Sequence, residues 1–228
     1  MLVKNFHDLP KELQCEEVCP YFEILNQRRT SLLCKSIFDR VMAAGMLIIL
    51  SPVFLVLAIM IKRDSEGEVF FRQTRVTQYG RTFGIYKFRT MVKNAESLGA
   101  QVTSQNDMRV TKVGNMLRSC RLDELPQLIN ILLGDMSFVG TRPEVPRYVE
   151  AYTNEMKATL LLPAGVTSVA SIAYKDEDQL LQNAKNVDEV YINEVLPGKM
   201  AWNLKSIKEF SFLQDIKTMV DTVLAVLR

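Results

Sequence analysis

The sequence has little net charge and few residues that bind metals through sulfur or imidazole. Its 228 residues carry a formal charge of only +2 and 48% of them are hydrophobic. These values argue against a disordered chain and against a strongly basic nucleic-acid binder. The four cysteines form no C-x-x-C pair and the single histidine is His7. We therefore expect no zinc site, and the cysteines fit a protein that faces a reducing cytosol.

The chain also lacks internal repeats, low-complexity tracts and Gly/Ser-rich linkers, which favours one compact unit with an attachment segment. Residues 1–29 mix acidic and basic side chains without an apolar run, so we expect no cleaved signal peptide. The predicted parts are an N-terminal amphipathic extension over residues 1–34, a membrane segment over 35–63 and a cytosolic domain at the membrane surface over 64–228. The sequence leaves the oligomeric state open, including a homo-oligomer.

One long apolar stretch stands out, because Val41–Ile61 contains no charged residue. A stretch of about 20 residues is long enough to cross the hydrocarbon core of a bilayer as a helix. Basic residues flank both ends, with Lys35 and Arg40 before it and Lys62 and Arg63 after it. Because basic residues favour the cytoplasmic side, this arrangement places both ends on the same side of the membrane.

Ser51 and Pro52 lie near the centre of this stretch. Proline lacks an N–H group and clashes with the preceding turn, while the Ser51 hydroxyl can bond a carbonyl that loses its partner there. The pair predicts a re-entrant membrane anchor built as helix, break and helix. A kinked spanning helix is equally compatible with this segment alone, because spanning helices tolerate proline and basic side chains snorkel at both ends.

The remaining patterns predict an α+β fold that is mostly helical. Two aromatic and β-branched runs, "EVFFRQTRV" and "FGIYKFRTM", are typical of a small β-hairpin with Gly80 in its turn. Helical spacing predicts two helices that meet near Arg121, the second with Pro126 in its first turn and Gly134 at its end. A further helix is predicted over about Arg147–Leu160.

The C-terminal segment carries one apolar helical face. Its members are Phe210, Leu213, Ile216, Val220, Val223 and Leu227. Such a face packs into a core or rests on lipid. Burial in the core is the commoner outcome and is our expectation.

Adjacent carboxylates, Asp123 and Glu124, lie in "RLDELPQ" at a predicted helix start, close to Arg118 and Arg121. Exposed amides at such a start stabilise carboxylates and also attract a metal-bound phosphate. Ordinary helix capping explains an aspartate there equally well, and from spacing alone it is the simpler explanation.

Other basic residues accompany this pair. The loop in "GDMSFVGTRPE" presents Arg142, whose guanidinium suits bidentate contact with phosphate. Lys87 and Arg89 in "YKFRTM" are two positions apart on a predicted strand, so we expect them to share one face. Each cluster alone is a weak signal for phosphate binding.

Taken together and in this order, the motifs resemble the bacterial sugar transferase family, the monotopic phosphoglycosyl transferases that transfer a sugar phosphate to a polyprenyl phosphate. The segments that carry the resemblance are "KSIFDRVMAAGMLIILSPVFLVLAIMIKRDS", "VFFRQTR", "YKFRTM", "RLDELPQLINILLGDMSFVGTRPE" and, more faintly, "FSFLQDIKTMV". The match is dense over Lys35–Arg147.

The resemblance implies a mechanism and a location. Asp123 would be the catalytic nucleophile toward a UDP-sugar donor, and Glu124 would bind Mg²⁺. The residues implied to neutralise phosphate charge are Lys87, Arg89, Arg118 and Arg142. The acceptor would be undecaprenyl phosphate, with the chain at the cytoplasmic face of the bacterial inner membrane.

The sequence departs from the family pattern at several positions. Glu68 and Thr141 each replace a common proline, and "LLLPAGVTSV" lacks the usual arginine and aromatic residue. The donor sugar therefore cannot be transferred from better-known members. Two other functions stay open: a non-catalytic scaffold of polysaccharide assembly, and a Mg²⁺-dependent phosphohydrolase acting on the same donors.

Overall fold

A computed structural model describes residues 4–93, 95, 107–174 and 186–227. The described chain is mostly helical, with two small sheets. The helices are α1 (Cys19–Gln27), α2 (Arg29–Asp64), α3 (Lys112–Ser119), α4 (Gln127–Leu133), α5 (Pro146–Val149), α6 (Val169–Ala173), α7 (Val187–Val190), α8 (Leu196–Lys208) and α9 (Phe212–Leu227). The strands are β1 (Phe70–Val76), β2 (Thr82–Phe88), β3 (Met136–Val139) and β4 (Ala164–Thr167).

The structure confirms the predicted hairpin. Strands β1 and β2 pair antiparallel from Phe70 opposite Phe88 to Val76 opposite Thr82. Gly80 in the turn has φ +74°, a backbone conformation that glycine adopts without a steric cost. The second sheet, in which β3 and β4 run parallel, was not predicted from the sequence.

The two helices predicted around Arg121 are also present as α3 and α4, and Gly134 ends α4 in a left-handed conformation with φ +84°. The helix predicted over Arg147–Leu160 is wrong. Only the short helix α5 forms, and a separate 3₁₀ turn follows at Met156–Leu161. The Thr153 hydroxyl accepts the Met156 amide hydrogen and starts this new turn, which explains the interruption.

The prediction that the helix breaks at Ser51 and Pro52 is wrong. Helix α2 is a single continuous helix of 36 residues with Pro52 inside it. Pro52 cannot donate to the carbonyl of Ile48 four residues earlier. The Ser51 hydroxyl donates to that carbonyl instead, at 2.8 Å. The serine therefore performs its predicted role, and it lets helical backbone continue through the proline.

One side of helix α2 packs against the other elements of the protein. Ala43 packs in a cluster with β2 and α4, and Leu57 and Ile61 pack against Phe88 of β2 and Leu117 of α3. Its other side is apolar and exposed, with Ile48 and Ile49 about three-quarters accessible. The helix is long and apolar enough to cross a membrane, and only 11% of an apolar 18-residue stretch within it is buried.

The N-terminal segment shares the main core rather than standing apart. Leu13, Leu25 and Leu32 are buried in one cluster with Leu161 and Met200. The segment therefore packs directly on residues from the C-terminal half of the chain.

The expectation that the apolar face of α9 is buried is wrong for most of its members. Phe210, just before the helix, is buried, whereas Leu213, Val220 and Val223 are between 53% and 78% exposed. The side chain of Leu227 lies outside the described set. The helix instead turns a partly polar side inward, where Asp215 forms an ion pair with the buried Lys35 of α2.

Asn130 joins α4 to the hairpin. It is fully buried, and its side-chain amide accepts from the Tyr86 amide and donates to the Gly84 carbonyl, both at 2.9 Å. The amide thus completes the backbone pairing of β2 as a neighbouring strand would. This contact fixes the strand that carries Lys87 relative to the helix that follows Asp123.

We expect Asn130→Ala to lower the free energy of unfolding by about 2–4 kcal/mol, because it leaves two buried backbone groups without partners. Thermal unfolding in detergent checks this value. Asn154→Ala is the matched control, since the exposed Asn154 bonds the side chains of Glu17 at 3.3 Å and Lys157 at 3.1 Å at the protein surface, and its loss should be nearly neutral. Equal melting temperatures for the two variants would contradict the structural role of Asn130.

Candidate active site

Asp123 and Glu124 lie in a short 3₁₀ turn, Leu122–Glu124, between α3 and α4. The turn begins at Arg121, which has φ +53° in the left-handed region that non-glycine residues seldom adopt. Backbone of this kind often occurs at functional sites. The chain reversal sets both carboxylates between the end of α3 and the start of α4.

Two cations converge on Glu124. Lys87 Nζ donates to its Oε1 atom at 2.9 Å, and Arg142 Nη2 donates to the same atom at 2.7 Å. Burial alone would raise the pKa of Glu124, but Arg142 and Lys87 outweigh it and hold the pKa well below its usual range. Glu124 is therefore ionised, and its carboxylate links Lys87 of the hairpin to Arg142 of the loop after β3.

Asp123 has a different environment. Partial burial raises its pKa above the usual value, with the Glu124 charge adding to the rise, while Lys87 and Arg118 oppose it. Its side chain is half-buried. Two adjacent carboxylates therefore have pKa values displaced in opposite directions, which is a pattern found where the groups have different chemical roles.

The loop that presents Arg142 is fixed by close backbone contacts. A Cβ atom at Gly140 would lie 2.6 Å from the Pro163 carbonyl oxygen, and one at Gly165 would lie 2.2 Å from the Gly140 nitrogen. Only glycine permits this approach, so Gly140 and Gly165 together fix the shape of the loop. The contact brings Arg142 to the end of the parallel pair β3–β4.

Arg118 reaches the same region from α3. Its Nε atom donates to the Thr90 hydroxyl at 2.9 Å, and it lowers the pKa of Asp123. Helix α3 lies against the backbone at Thr90, where a Cβ at Gly114 would come within 2.0 Å of the Thr90 carbonyl oxygen. This close approach places Arg118 near Asp123.

Arg89 does not join this cluster. Its guanidinium donates to the Ser65 carbonyl at 2.7 Å and to the Ser65 hydroxyl at 3.0 Å, at the C-terminal end of α2. Among the described residues, Arg89 makes no ion pair with Asp123 or Glu124. The expectation that Arg89 lies on one strand face with Lys87 is therefore not met, because β2 ends at Phe88 and the carbonyls at the end of α2 attract the charge of Arg89.

Sequence reasoning missed Arg75, which lies close to the site. Its Nη1 atom donates to the Pro143 carbonyl at 3.1 Å, and its charge interacts with Arg142 and Glu124. Desolvation lowers the pKa of Arg75, as expected for a buried cation. The sequence does contain one signal for Arg75: it lies two positions after Gln73, so the two polar side chains share one face of β1 and form a hydrogen bond there.

The site has more basic than acidic groups, since Lys87, Arg118 and Arg142 surround Asp123 and Glu124. Such an excess suits an anionic ligand such as a diphosphate. No cluster of three metal-ligating side chains exists within the described residues. The donor set fits Mg²⁺ bound by one or two carboxylates and completed by phosphate oxygens, because both bonds to Glu124 end on Oε1 and Oε2 takes part in neither.

The sequence model of a family described as bacterial sugar transferase matches residues 30–228. The chain is 36% identical over 180 residues, 78% of its length, to the UDP-N-acetylgalactosamine-undecaprenyl-phosphate N-acetylgalactosaminephosphotransferase of Aeromonas hydrophila. It is 38% identical over 84% of its length to the UDP-glucose:undecaprenyl-phosphate glucose-1-phosphate transferase of Escherichia coli.

The UDP-glucose:undecaprenyl-phosphate glucose-1-phosphate transferase of Caulobacter vibrioides is 33% identical to this chain, and the match covers 83% of this chain and 68% of the relative. The matched region spans only 40% of the Aeromonas protein and 39% of the Escherichia protein. The family model covers most of the chain, including both carboxylates and every basic residue described above. The chain therefore belongs to the bacterial sugar transferase family.

Proposed function

We propose that this protein transfers a sugar 1-phosphate from a UDP-sugar to undecaprenyl phosphate, releasing UMP and forming an undecaprenyl-diphosphate sugar. The observation that carries the proposal is the half-buried Asp123 next to Glu124, which Lys87 and Arg142 clamp. The names of the relatives support the reaction class, and they differ in the sugar they specify. The reaction would be the first membrane step in making a surface polysaccharide or glycoconjugate.

In the proposed first step, a carboxylate oxygen of Asp123 attacks the β-phosphorus of the UDP-sugar. The bond from that phosphorus to the bridging oxygen breaks, and UMP leaves with the oxygen. The sugar phosphate remains on Asp123 as an acyl phosphate. In the second step a phosphate oxygen of undecaprenyl phosphate attacks the same phosphorus, and the Asp123 carboxylate is released.

The remaining residues have supporting roles in this proposal. Arg118, Arg142 and Lys87 neutralise charge on the transferring phosphoryl group. Glu124 would hold Mg²⁺, which when bound supplies a Lewis acid for phosphate oxygens. Arg89 is assigned to the end of α2 rather than to the phosphates, since its guanidinium is bonded there.

The membrane position rests on α2. Ala43 in its first half and Ile61 near its end both pack on the same body, through β2, α4 and α3. A helix held in this way has its two ends on one side, which supports a monotopic anchor with its exposed apolar side in one leaflet. The exposed residues Leu213, Val220 and Val223 of α9 add to this lipid-facing surface. The anchor would hold Asp123 where a soluble nucleotide sugar and a lipid phosphate both reach it.

Cysteine labelling tests this topology. In a variant whose native cysteines are serines, Thr30→Cys and Glu66→Cys place one exposed thiol near each end of α2. We expect a membrane-impermeant thiol reagent to label both positions only after the cytoplasmic face is opened. Labelling of either position from outside intact cells would establish a spanning helix.

The pKa of Asp123 predicts the pH dependence. The nucleophile must be ionised, so activity falls as pH drops through a pKa that burial raises above that of an ordinary aspartate. Lys87 lowers this pKa, so Lys87→Met should move the acid limb of the kcat/KM profile to higher pH. The exposed Lys205, changed to Met, is the control and should leave the limb in place. If the acid limb of the Lys87→Met profile lies at the same pH as that of the wild type, the assignment of Asp123 as the ionised nucleophile is contradicted.

A screen of UDP-sugars tests the function itself. With undecaprenyl phosphate and Mg²⁺ present, we expect UMP release from at least one donor. Release of free sugar phosphate without the lipid acceptor would favour a phosphohydrolase. No UMP from any donor would favour a non-catalytic scaffold.

A further inference from the structure

A buried polar cluster lies behind the loop that carries Arg142. Glu144, Tyr191 and Lys199 are each only 5–6% exposed. The Tyr191 hydroxyl donates to Glu144 Oε1, and Lys199 Nζ donates to the Tyr191 oxygen at 2.8 Å while lying 3.6 Å from Glu144 Oε1. Burying such a pair costs desolvation energy that its attraction only partly offsets. Stability alone is therefore a weak explanation for the cluster.

The cluster is joined to the site through the backbone. Glu144 is two residues after Arg142, and its carbonyl accepts the Val76 amide hydrogen at 2.9 Å. Arg75, the neighbour of Val76, donates to the Pro143 carbonyl at 3.1 Å. Strand β1 thus holds two successive carbonyls of the loop, and the Glu144 side chain is held by Tyr191 and Lys199 from the C-terminal part of the chain.

Arg142 needs such support. Its side chain is 37% exposed, and the loop behind it begins at Gly140. An exposed guanidinium on a glycine-containing loop holds a fixed position only if its backbone is fixed. Tyr191 starts a π-helical turn, Tyr191–Val195, between α7 and α8. Turns of this type are rare and frequently lie at functional sites.

We propose that Arg75, Glu144, Tyr191 and Lys199 are positioning residues that hold Arg142 in register with Glu124 and with the phosphate of the donor. The proposal rests on the proposed function for the identity of that donor. It gives Tyr191 in the π-helical turn and Lys199 in the first turn of α8 a part in catalysis that they exert through Glu144.

Tyr191→Phe tests the proposal, because it removes the hydroxyl and keeps the ring. Tyr148→Phe is the matched control: the two rings are 4.6 Å apart, and the Tyr148 hydroxyl donates to Asp188 rather than to Glu144. We expect Tyr191→Phe to lower kcat/KM by about tenfold or more through misplacement of Arg142. Combined with Arg142→Lys, it should cause little further loss, since the two changes act through the same group.

A second measurement does not depend on activity. Hydrogen exchange should become faster at the Val76 amide, which bonds the Glu144 carbonyl, and at the Gly165 amide, which bonds the Thr141 carbonyl. Tyr148→Phe should change neither. If the wild type releases no UMP, the proposed function fails while the exchange rates still decide the positioning role. Unchanged exchange, or a loss in the double variant that equals the product of the single losses, would overturn it.

Discussion

Replacing Asp123 with Asn should reduce UMP release by at least about 10³-fold, the scale typical for loss of a nucleophile that forms a covalent intermediate. Asparagine has nearly the same shape and can keep the turn Leu122–Glu124 intact. Its amide oxygen cannot displace UMP from the β-phosphorus to give a stable acyl phosphate. The loss should appear in kcat, with UDP-sugar binding largely retained because the cations of the site remain.

Asp135→Asn is the matched control for this change. Asp135 forms an ion pair with the exposed Arg81 at 2.8 Å, away from the site, so its substitution removes a charge and a salt bridge without touching the chemistry. The control should keep near-wild-type turnover. Full activity in Asp123→Asn would show that this residue is only a structural cap of its turn.

Glu124→Gln should lower kcat/KM by about 10²–10³-fold, the range seen when one electrostatic stabiliser is removed from a site. The neutral amide no longer attracts both Lys87 and Arg142, which then repel each other across the site. It is also a poorer ligand for Mg²⁺. The variant should therefore need a higher Mg²⁺ concentration for half-maximal activity, while its fold is retained.

The control for Glu124→Gln is Glu155→Gln, which removes a carboxylate that accepts a bond from Tyr21 in another part of the protein. This control should leave the Mg²⁺ titration of activity unchanged. A wild-type titration curve in Glu124→Gln would exclude Glu124 from metal binding. The rate effect would then be attributed to the two basic residues alone.

The features that could be predicted from the sequence depend on local chemistry. Gly80 and Gly134 both adopt the positive φ that their turns require, and the alternating hairpin runs pair as expected. The Ser51 hydroxyl satisfies the carbonyl that Pro52 leaves without a donor. In each case the cause lies within a few residues of the effect.

The features that could not be predicted depend on contacts between distant segments. Arg89 lies one residue after β2, the strand that carries Lys87, and its guanidinium is bonded at the end of α2. The polar side of α9 is turned inward by the ion pair of Asp215 with Lys35, 180 residues earlier. Asn130 acts on β2 across 44 residues. No periodicity or spacing in one segment reports such partners.

In the proposed mechanism, Asp123 carries the sugar phosphate between donor and acceptor. The most direct test is to incubate the protein with Mg²⁺ and an accepted UDP-sugar, without undecaprenyl phosphate, and to analyse the acid-quenched protein by peptide mass spectrometry. We expect one sugar-phosphate adduct on Asp123 that is absent from Asp123→Asn and disappears when the lipid phosphate is added. Turnover without any adduct, or an adduct on a different residue, would contradict it.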